Sequence, residues 1–319
     1  MNRYSLDFEK PILELEAKID ELEALSRSGQ IGIDGEVKRL RLKAKKLRLE
    51  IYARLTRWQC VQLARHPNRP YALDYIKLIV EDFVELHGDR CFRDDPSIVA
   101  GLGRWGGHSA AVIGQQKGRG TRENLFRNFG MAHPEGYRKA LRVMKLADKF
   151  GLPIITLIDT PGAYPGLGAE ERGQAQAIAE NLYCMSQFSV PIVAVVIGEG
   201  GSGGALALGV ADRVYMLQYA IYSVISPEGC ASILYRDASK AQAAAEALRL
   251  TAVDLESYKL IDGIIPEPPG GAHNNPELTA RQVEASVTAA LNELTPLDPE
   301  ERIQMRIEKY RRMGQWIEA

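Results

Sequence analysis

The chain is poor in cysteine, and its four, Cys60, Cys91, Cys184 and Cys230, form no C-x-x-C pair. A disulfide framework or a zinc ribbon needs closer, patterned ligands, so neither is expected. Long hydrophobic runs are also lacking. The longest, near Leu152–Ile158 and Pro191–Ile197, fall far short of the roughly 20 residues a membrane helix needs. Neither sign of charge dominates: 40 Lys plus Arg against 41 Asp plus Glu leave a formal net charge of −1. That balance excludes a globally basic nucleic-acid coat and an acidic solvating tail. The opening twenty residues carry charges throughout and no apolar stretch before a cleavage site, so a signal peptide is not expected. With 45 % hydrophobic and 25 % charged residues, the 319-residue chain has ordinary globular composition and can bury a large core. A soluble, reduced, cytoplasmic protein is the default expectation.

Ile12, Leu15, Ile19 and Leu22 recur at three- and four-residue steps and predict a helix over 10–28. The glycine-bearing stretch 29–35 breaks it. A second helix is expected over 36–58, with Val37, Leu40, Ala44, Leu47 and Ile51 as its apolar seam. Together they read as a helical hairpin. The second helix carries nine Lys or Arg against two Glu between Glu36 and Arg57, a solvated face or, alternatively, a polyanion-binding one. Residues 60–97 read as a connector with one helix over 73–86. From Ile98, β-prone runs (98–101, 108–115, 153–159, 191–197, 213–217, 222–225) appear, and helical ones (134–150, 169–187, 203–210) alternate with the later of them. The runs 153–158 and 191–197 are continuously apolar, as strands covered on both faces should be. Such alternation predicts an α/β domain with parallel strands. Helical stretches follow over 229–234, 239–250 and 253–260, then a proline loop at 266–276, then helices over 277–294 and 298–313.

The densest signal is Gly198-Glu-Gly-Gly-Ser-Gly-Gly-Ala205, directly after a strand and opening a helix. Gly198, Gly200 and Gly203 spell G-x-G-x-x-G, but the next strand ends in Met216-Leu-Gln-Tyr219 without the carboxylate a dinucleotide site wants. Gly204-Ala205 stands where a Walker A loop has Lys-Ser/Thr. Gly200-Gly-Ser202-Gly-Gly204 spells the nucleophile elbow G-x-S-x-G, with Asp254 or Asp262 and His273 as the available triad partners. His273 lies in the proline loop, and no H-G-G-G-type segment precedes the elbow. What remains is an oxyanion hole of backbone N–H groups at a helix start, suited to an enolate or similar oxygen anion. Six glycines within 198–209 exceed what close packing needs.

A second strand ends in Asp159-Thr-Pro-Gly-Ala-Tyr-Pro-Gly-Leu-Gly168. Its prolines and glycines leave amides exposed at the carboxyl edge of the sheet, where ligands of parallel α/β sheets gather. Glu170 and Glu171 suit the positive end of the helix that follows.

These two turns, with Tyr222-Ser-Val-Ile-Ser-Pro-Glu-Gly-Cys-Ala-Ser-Ile-Leu234, Asn128-Phe-Gly-Met131, Pro134-Glu-Gly-Tyr-Arg-Lys139, Ala64-Arg-His-Pro67, Ile264-Ile-Pro-Glu-Pro268 and Gly270-Gly-Ala-His273, resemble a known family. It is the α-subunit family of bacterial acetyl-CoA carboxylase carboxyltransferases, and the likeness covers nearly the whole chain. The resemblance implies a crotonase-like (ClpP/crotonase) α/β fold of ββα units wound into a superhelix. On that basis an N-terminal helical hairpin spans 1–60, a crotonase-like CoA carboxyltransferase domain 61–296, and a C-terminal helix 297–319.

The activity it implies is transfer of a carboxyl group from carboxybiotin to acetyl-CoA, giving malonyl-CoA for fatty acid biosynthesis. Biotin is then carried on a biotin carboxyl carrier protein, not attached to this chain, and no metal belongs here. The implied partners are a zinc-ribbon β subunit in an α2β2 heterotetramer, the carrier protein and biotin carboxylase. ATP is used by the whole carboxylase, and no recognisable ATP site is found in this chain. The reaction needs two oxyanion holes, and the biotin-side one is assigned to this chain. Backbone N–H groups of Gly203 or Gly204 and of Gly162 or Ala163 are its expected donors. Gly200, Gly201, Tyr164, Pro165 and Gly166 are the expected biotin-binding surroundings. Lys117, Arg119, Arg122 and Arg127 form a basic run that either is solvated or meets coenzyme A phosphates or the carrier, and Met131, His133 and Tyr137 are cleft-lining candidates. The alternative is a self-sufficient crotonase-fold hydratase or decarboxylase.

Overall fold

The computed structural model describes residues 4–27 and 34–314. Helix α1 (Lys10–Arg27) and helix α2 (Asp34–Tyr52) lie antiparallel, with Glu16 paired to Arg48 and Glu23 to Arg41. Leu15, Ile19 and Leu22 meet Val37, Leu40 and Ala44 along the expected seam. Lower down, Leu47, Ile51 and Tyr52 pack with Leu6, Phe8 and Ile12. The residues 29–33 of the expected break lie outside those described.

The second helix ends six residues earlier than the spacing predicts. Thr56 Oγ1 accepts the Gln59 N–H at 3.2 Å, and Gln59 Oε1 accepts the Thr56 N–H at 2.8 Å. This capping box starts a separate helix, α3 (Arg57–Ala64), after a bend at 53–55. The helix expected over 73–86 is also two elements. Helix α4 (Ala72–Ile79) stops at Val80, and strand β1 (Glu81–Glu85) then pairs antiparallel with β2 (Ile98–Trp105). Only the distant partner strand reveals β1, whose acidic residues mark it as a sheet edge. A two-residue turn, Gly106-Gly107 at φ +54° and +87°, joins β2 to β3 (His108–Gln115).

Helices α5 (Gly120–Phe126) and α6 (Pro134–Lys149) lead to β4 (Ile154–Thr160). The helix expected over 169–187 splits into α7 (Leu167–Glu171) and α8 (Gln174–Gln187) around Gly173 at φ +82°. Strand β5 (Ile192–Gly201) is followed by α9 (Ser202–Leu206), β6 (Arg213–Leu217) and β7 (Ile221–Ser223). Then come α10 (Pro227–Tyr235), α11 (Ala241–Leu248), α12 (Ala252–Ser257), and a short strand β8 (Gly263–Ile265) that the sequence reading missed. Helices α13 (Pro276–Leu294) and α14 (Pro299–Arg311) follow.

The sheet runs β1-β2-β3-β4-β5-β6-β8, antiparallel over its first three strands and parallel from β3 onward. Every residue of β4 and β5 is buried, which explains their unbroken apolar runs. Strand β5 serves two neighbours in turn. Its Val193–Val196 portion pairs with β6, and its Glu199–Gly201 end pairs with β7. Helix α14 is locked to the core by buried Arg306, which grips the Asp212 carboxylate at 2.8 and 2.9 Å and the Met185, Phe188 and Val190 carbonyls. Among the described residues, no helix is long and apolar enough to cross a membrane.

Candidate active site

The turns after β4 and β5 come together at the carboxyl edge of the sheet. Their contact is backbone on backbone. A Cβ on Gly204 would stand 2.5 Å from the Gly162 carbonyl carbon and 2.6 Å from the Ala163 nitrogen, and one on Gly201 would stand 2.2 Å from the Pro161 oxygen. These two glycines are therefore required by close approach. Gly203 differs, since a Cβ there would meet only Ile178, at 3.7 Å.

Gly203 and Gly204 are the second and third residues of α9, where an N–H has no acceptor inside the helix. Across the contact, the Gly162 N–H is already engaged by Thr160 Oγ1 at 3.1 Å, and that hydroxyl donates toward the Gly130 and Gly162 carbonyls, both at 2.7 Å. Among the described residues, no acceptor takes the Ala163 N–H. Tyr164 is fixed through its backbone: its N–H donates to Ala132 at 3.0 Å, and its carbonyl accepts Gln174 Nε2 at 2.9 Å. Pro165 is exposed, and Gly166 caps the N-terminus of α7.

Beneath the turns lies a set of charges of which the sequence reading singled out only Lys117, as part of the basic run. Asp159, buried at the end of β4, accepts Lys117 Nζ at 2.6 Å and the Glu199 N–H at 2.9 Å. A Cβ on Gly198 would stand 2.6 Å from the Asp159 carboxylate, so that glycine makes room for it. Glu199 in turn accepts Arg65 Nε and Nη2 at 2.9 and 2.6 Å, and Arg65 also holds Glu228 at 2.8 Å. Burial disfavours the Lys117 charge, but Asp159 and Glu199 outweigh it and hold the ammonium above the ordinary lysine range. The available signal was a polar residue ending each of three neighbouring apolar strands: Gln115 on β3, Asp159 on β4 and Glu199 near the end of β5.

The elbow reading meets half its geometry. Ser202 is exposed at φ +52°, the kind of turn that presents a nucleophile. Its partners are elsewhere. Asp254 is held by Arg57 at 2.6 and 2.9 Å, Asp262 accepts the Val214 N–H and pairs with Lys309, and His273 stacks on His66 with ring centroids 3.8 Å apart. Among the described residues, these candidates form no Ser-Asp-His set. The basic run is largely consumed internally: Lys117 by Asp159, Arg119 by Asp74 at 2.7 Å, and Arg127 by the Pro96 carbonyl. Tyr137 is fully buried in the core and lines no cleft. His133 stacks on Tyr164 at 4.0 Å, placing it behind the first turn.

Comparison with solved structures defines the class. A Pseudomonas malonate decarboxylase heterotetramer in complex with coenzyme A superposes with a TM-score of 0.58 at 15 % identity, over 74 % of this chain and 92 % of that one. Transcarboxylase 12S superposes with a TM-score of 0.57 at 21 % identity, over 71 % of this chain and 42 % of that one. The fold is thus the crotonase-like α/β fold of carboxyltransferases and malonate decarboxylases.

Sequence comparison narrows the class. The family "Acetyl co-enzyme A carboxylase carboxyltransferase-like" matches residues 5–314. The acetyl-coenzyme A carboxylase carboxyl transferase subunit alpha of Edwardsiella ictaluri is 58 % identical over 312 residues, covering 97 % of this chain and 98 % of that protein. Its counterpart from Thioalkalivibrio sulfidiphilus is 54 % identical over the full length of both. The chain belongs to this family, as the carboxyltransferase α subunit of acetyl-CoA carboxylase. It is a subunit of a larger enzyme, which displaces the stand-alone hydratase or decarboxylase alternative.

Proposed function

We propose that the paired turns form the biotin-side half of the carboxyl-transfer site. Carboxybiotin, delivered on its carrier protein, supplies an activated carboxyl group and leaves negative charge on the ureido oxygen as that group passes to acetyl-CoA. The observation that carries the reading is the backbone contact of Gly204 with Gly162–Ala163, which brings the unpaired N–H groups of two strand-end turns side by side. The donors are then the Gly203, Gly204 and Ala163 amides, while Gly162, whose N–H is engaged by Thr160, shapes the turn. Gly200 and Gly201 form the floor, and Tyr164, Pro165 and Gly166 form the rim against which the bicyclic ring rests.

The donor set fits an oxygen anion. It consists of two amides in the first turn of α9 and one, Ala163, in the turn after β4, held by packing before any ligand arrives. Each such donor contributes about 3–4 kcal/mol to lowering the barrier. The neighbouring titratable groups, Lys117, Asp159, Glu199 and Arg65, are paired with one another, so this chain supplies positioning and anion stabilisation and no side-chain base. Acetyl-CoA is oriented by the partner β subunit, with its zinc ribbon, in an α2β2 assembly in the cytoplasm, where the carrier and biotin carboxylase complete the enzyme. Within this chain, 61–296 is the carboxyltransferase domain, preceded by a part that holds the α1–α2 hairpin and followed by a part that holds α14.

The test replaces Gly204 by glycolic acid, an amide-to-ester exchange that removes the N–H and adds no Cβ. Turnover of the assembled complex is expected to fall about two to three orders of magnitude with melting unchanged within a few degrees. Unaltered turnover would remove Gly204 from the site.

A further inference from the structure

Gln115, the last residue of β3, is fully buried, and both ends of its carboxamide reach across the site. Its Oε1 accepts the Asp159 N–H at 3.1 Å, and its Nε2 donates to the Gly204 carbonyl at 2.7 Å. The orientation of the amide is forced, because the Asp159 end can only donate and the Gly204 end can only accept. One side chain therefore bonds to the start of the first turn and to the interior of the second.

The sheet ladder alone does not set the distance between those turns. The β4–β5 ladder is regular up to Ile158 opposite Val196, then shifts, so that Thr160 lies opposite Gly200. Past that irregularity the Thr160–Gly200 pair, the Glu199 N–H on Asp159 and the glycine contact share with Gln115 the fixing of the spacing. Helix α9 is too short to do so, and the Leu208 N–H turns to the Ala205 carbonyl, leaving the Gly204 carbonyl for Gln115. On the other side, Thr160 Oγ1 ties the segment from Thr160 to Gly162 into a rigid unit, so a displacement of Asp159 is carried to Ala163.

Resting on the oxyanion reading above, we propose that Gln115 is a positioning residue whose two hydrogen bonds set the separation of the Ala163 amide from the Gly203 and Gly204 amides. It touches no substrate. Its loss lets the two donor sets drift, and a misplacement of about 1 Å costs roughly 100-fold in rate.

The experiment uses the chain assembled with its partner subunit and compares Gln115→Glu and Gln115→Leu with the parent across pH. Gln115→Glu keeps shape and volume. Protonated, its carboxyl group donates to the Gly204 carbonyl as the amide does, but ionised it turns an oxygen lone pair toward that carbonyl. Burial, with Asp159 and Glu199 nearby, opposes ionisation, while Lys117, paired to both, favours it. The expected result is a kcat ratio of variant to parent that falls steadily between about pH 6 and 9, with KM for malonyl-CoA within about threefold. Gln115→Leu is expected to lose about 100-fold in kcat at every pH with KM similarly unchanged.

A flat kcat ratio for Gln115→Glu overturns the proposal, and so does near-parental kcat for a folded Gln115→Leu. Should Gln115→Leu fail to assemble, Gln115→Glu decides alone, because its low-pH state is its own folded control. The glycolic acid exchange at 204 is run alongside. Loss there without an effect at 115 sinks the positioning role only, whereas no loss there sinks the oxyanion reading itself.

Discussion

Two adjacent glycines should respond in opposite ways to the same methyl group. In Gly204→Ala the new Cβ lies 2.5 Å from the Gly162 carbonyl carbon, 2.6 Å from the Ala163 nitrogen and 2.9 Å from the Gly162 oxygen. All three are backbone atoms, so no side chain can swing aside. Ordinary contact begins near 3.4 Å, and the turns must part by about 1 Å to accept the methyl. Overpacking of that size destabilises by about 1–3 kcal/mol. The same displacement separates the proposed donors and lowers kcat about 100-fold. In Gly203→Ala the nearest atoms are Ile178 Cδ1 at 3.7 Å and Cγ2 at 3.9 Å. There the methyl fits, and exchanging a helical glycine for alanine stabilises by about 0.5–1 kcal/mol. The assays are a thermal melt of each variant and malonyl-CoA-dependent carboxyl transfer to a biotin analogue by the assembled complex. Parental stability and turnover in Gly204→Ala would refute the contact between the turns. An equal loss of stability in both variants would refute the distinction drawn between the two positions.

Other consequences are equally direct. Ser202→Ala should keep a substantial fraction of carboxyl-transfer activity, and a fluorophosphonate probe should leave Ser202 unlabelled; stoichiometric labelling there would restore the hydrolase reading. The chain alone should be catalytically silent, since losing the groups that orient acetyl-CoA costs on the order of 7–11 kcal/mol, and turnover by a partner-free preparation at the rate of the mixture would sink the half-site. The buried Arg69–Glu267 pair, bonded at 2.6 and 2.8 Å, also braces the Ile197 carbonyl just before the glycine turn. Arg69→Leu leaves Glu267 without its cation and should cost about 3–5 kcal/mol in urea denaturation; a loss below 1 kcal/mol would contradict this account. Burial, then His66 and Arg69, push His273 down to about 3, against about 6.5 in the unfolded chain. The unfolded state therefore takes up the proton first as pH falls, so this contribution is complete above about pH 6.5 and shrinks below it. From pH 7 to 5 the parent should lose about 2 kcal/mol more stability than His273→Phe, and equal losses in the two would show that His273 does not resist protonation.

Periodicity alone was enough for the elements whose partners are close in sequence or whose burial is complete. The facing seams of α1 and α2, the buried strands β4 and β5, and the strand β6 over 213–217 were all legible, because side-chain alternation and helical spacing are local properties. Both glycine turns stood out in the sequence, but close approach of backbone and side chains explains most of the glycines over 198–209, contrary to the expectation that they exceed what packing needs. Tertiary structure alone decided the rest. β1, acidic and largely exposed, exists because β2 offers it a ladder, and the three-residue β8 because β6 does. The triad candidates were compatible in chain order but are scattered in space, because Arg57, Lys309 and His66 reach Asp254, Asp262 and His273 from distant elements. The links from Gln115 to Gly204 and from Lys117 to Asp159 join residues tens of positions apart. Such pairings follow from the order of strands in the sheet, which no local pattern encodes.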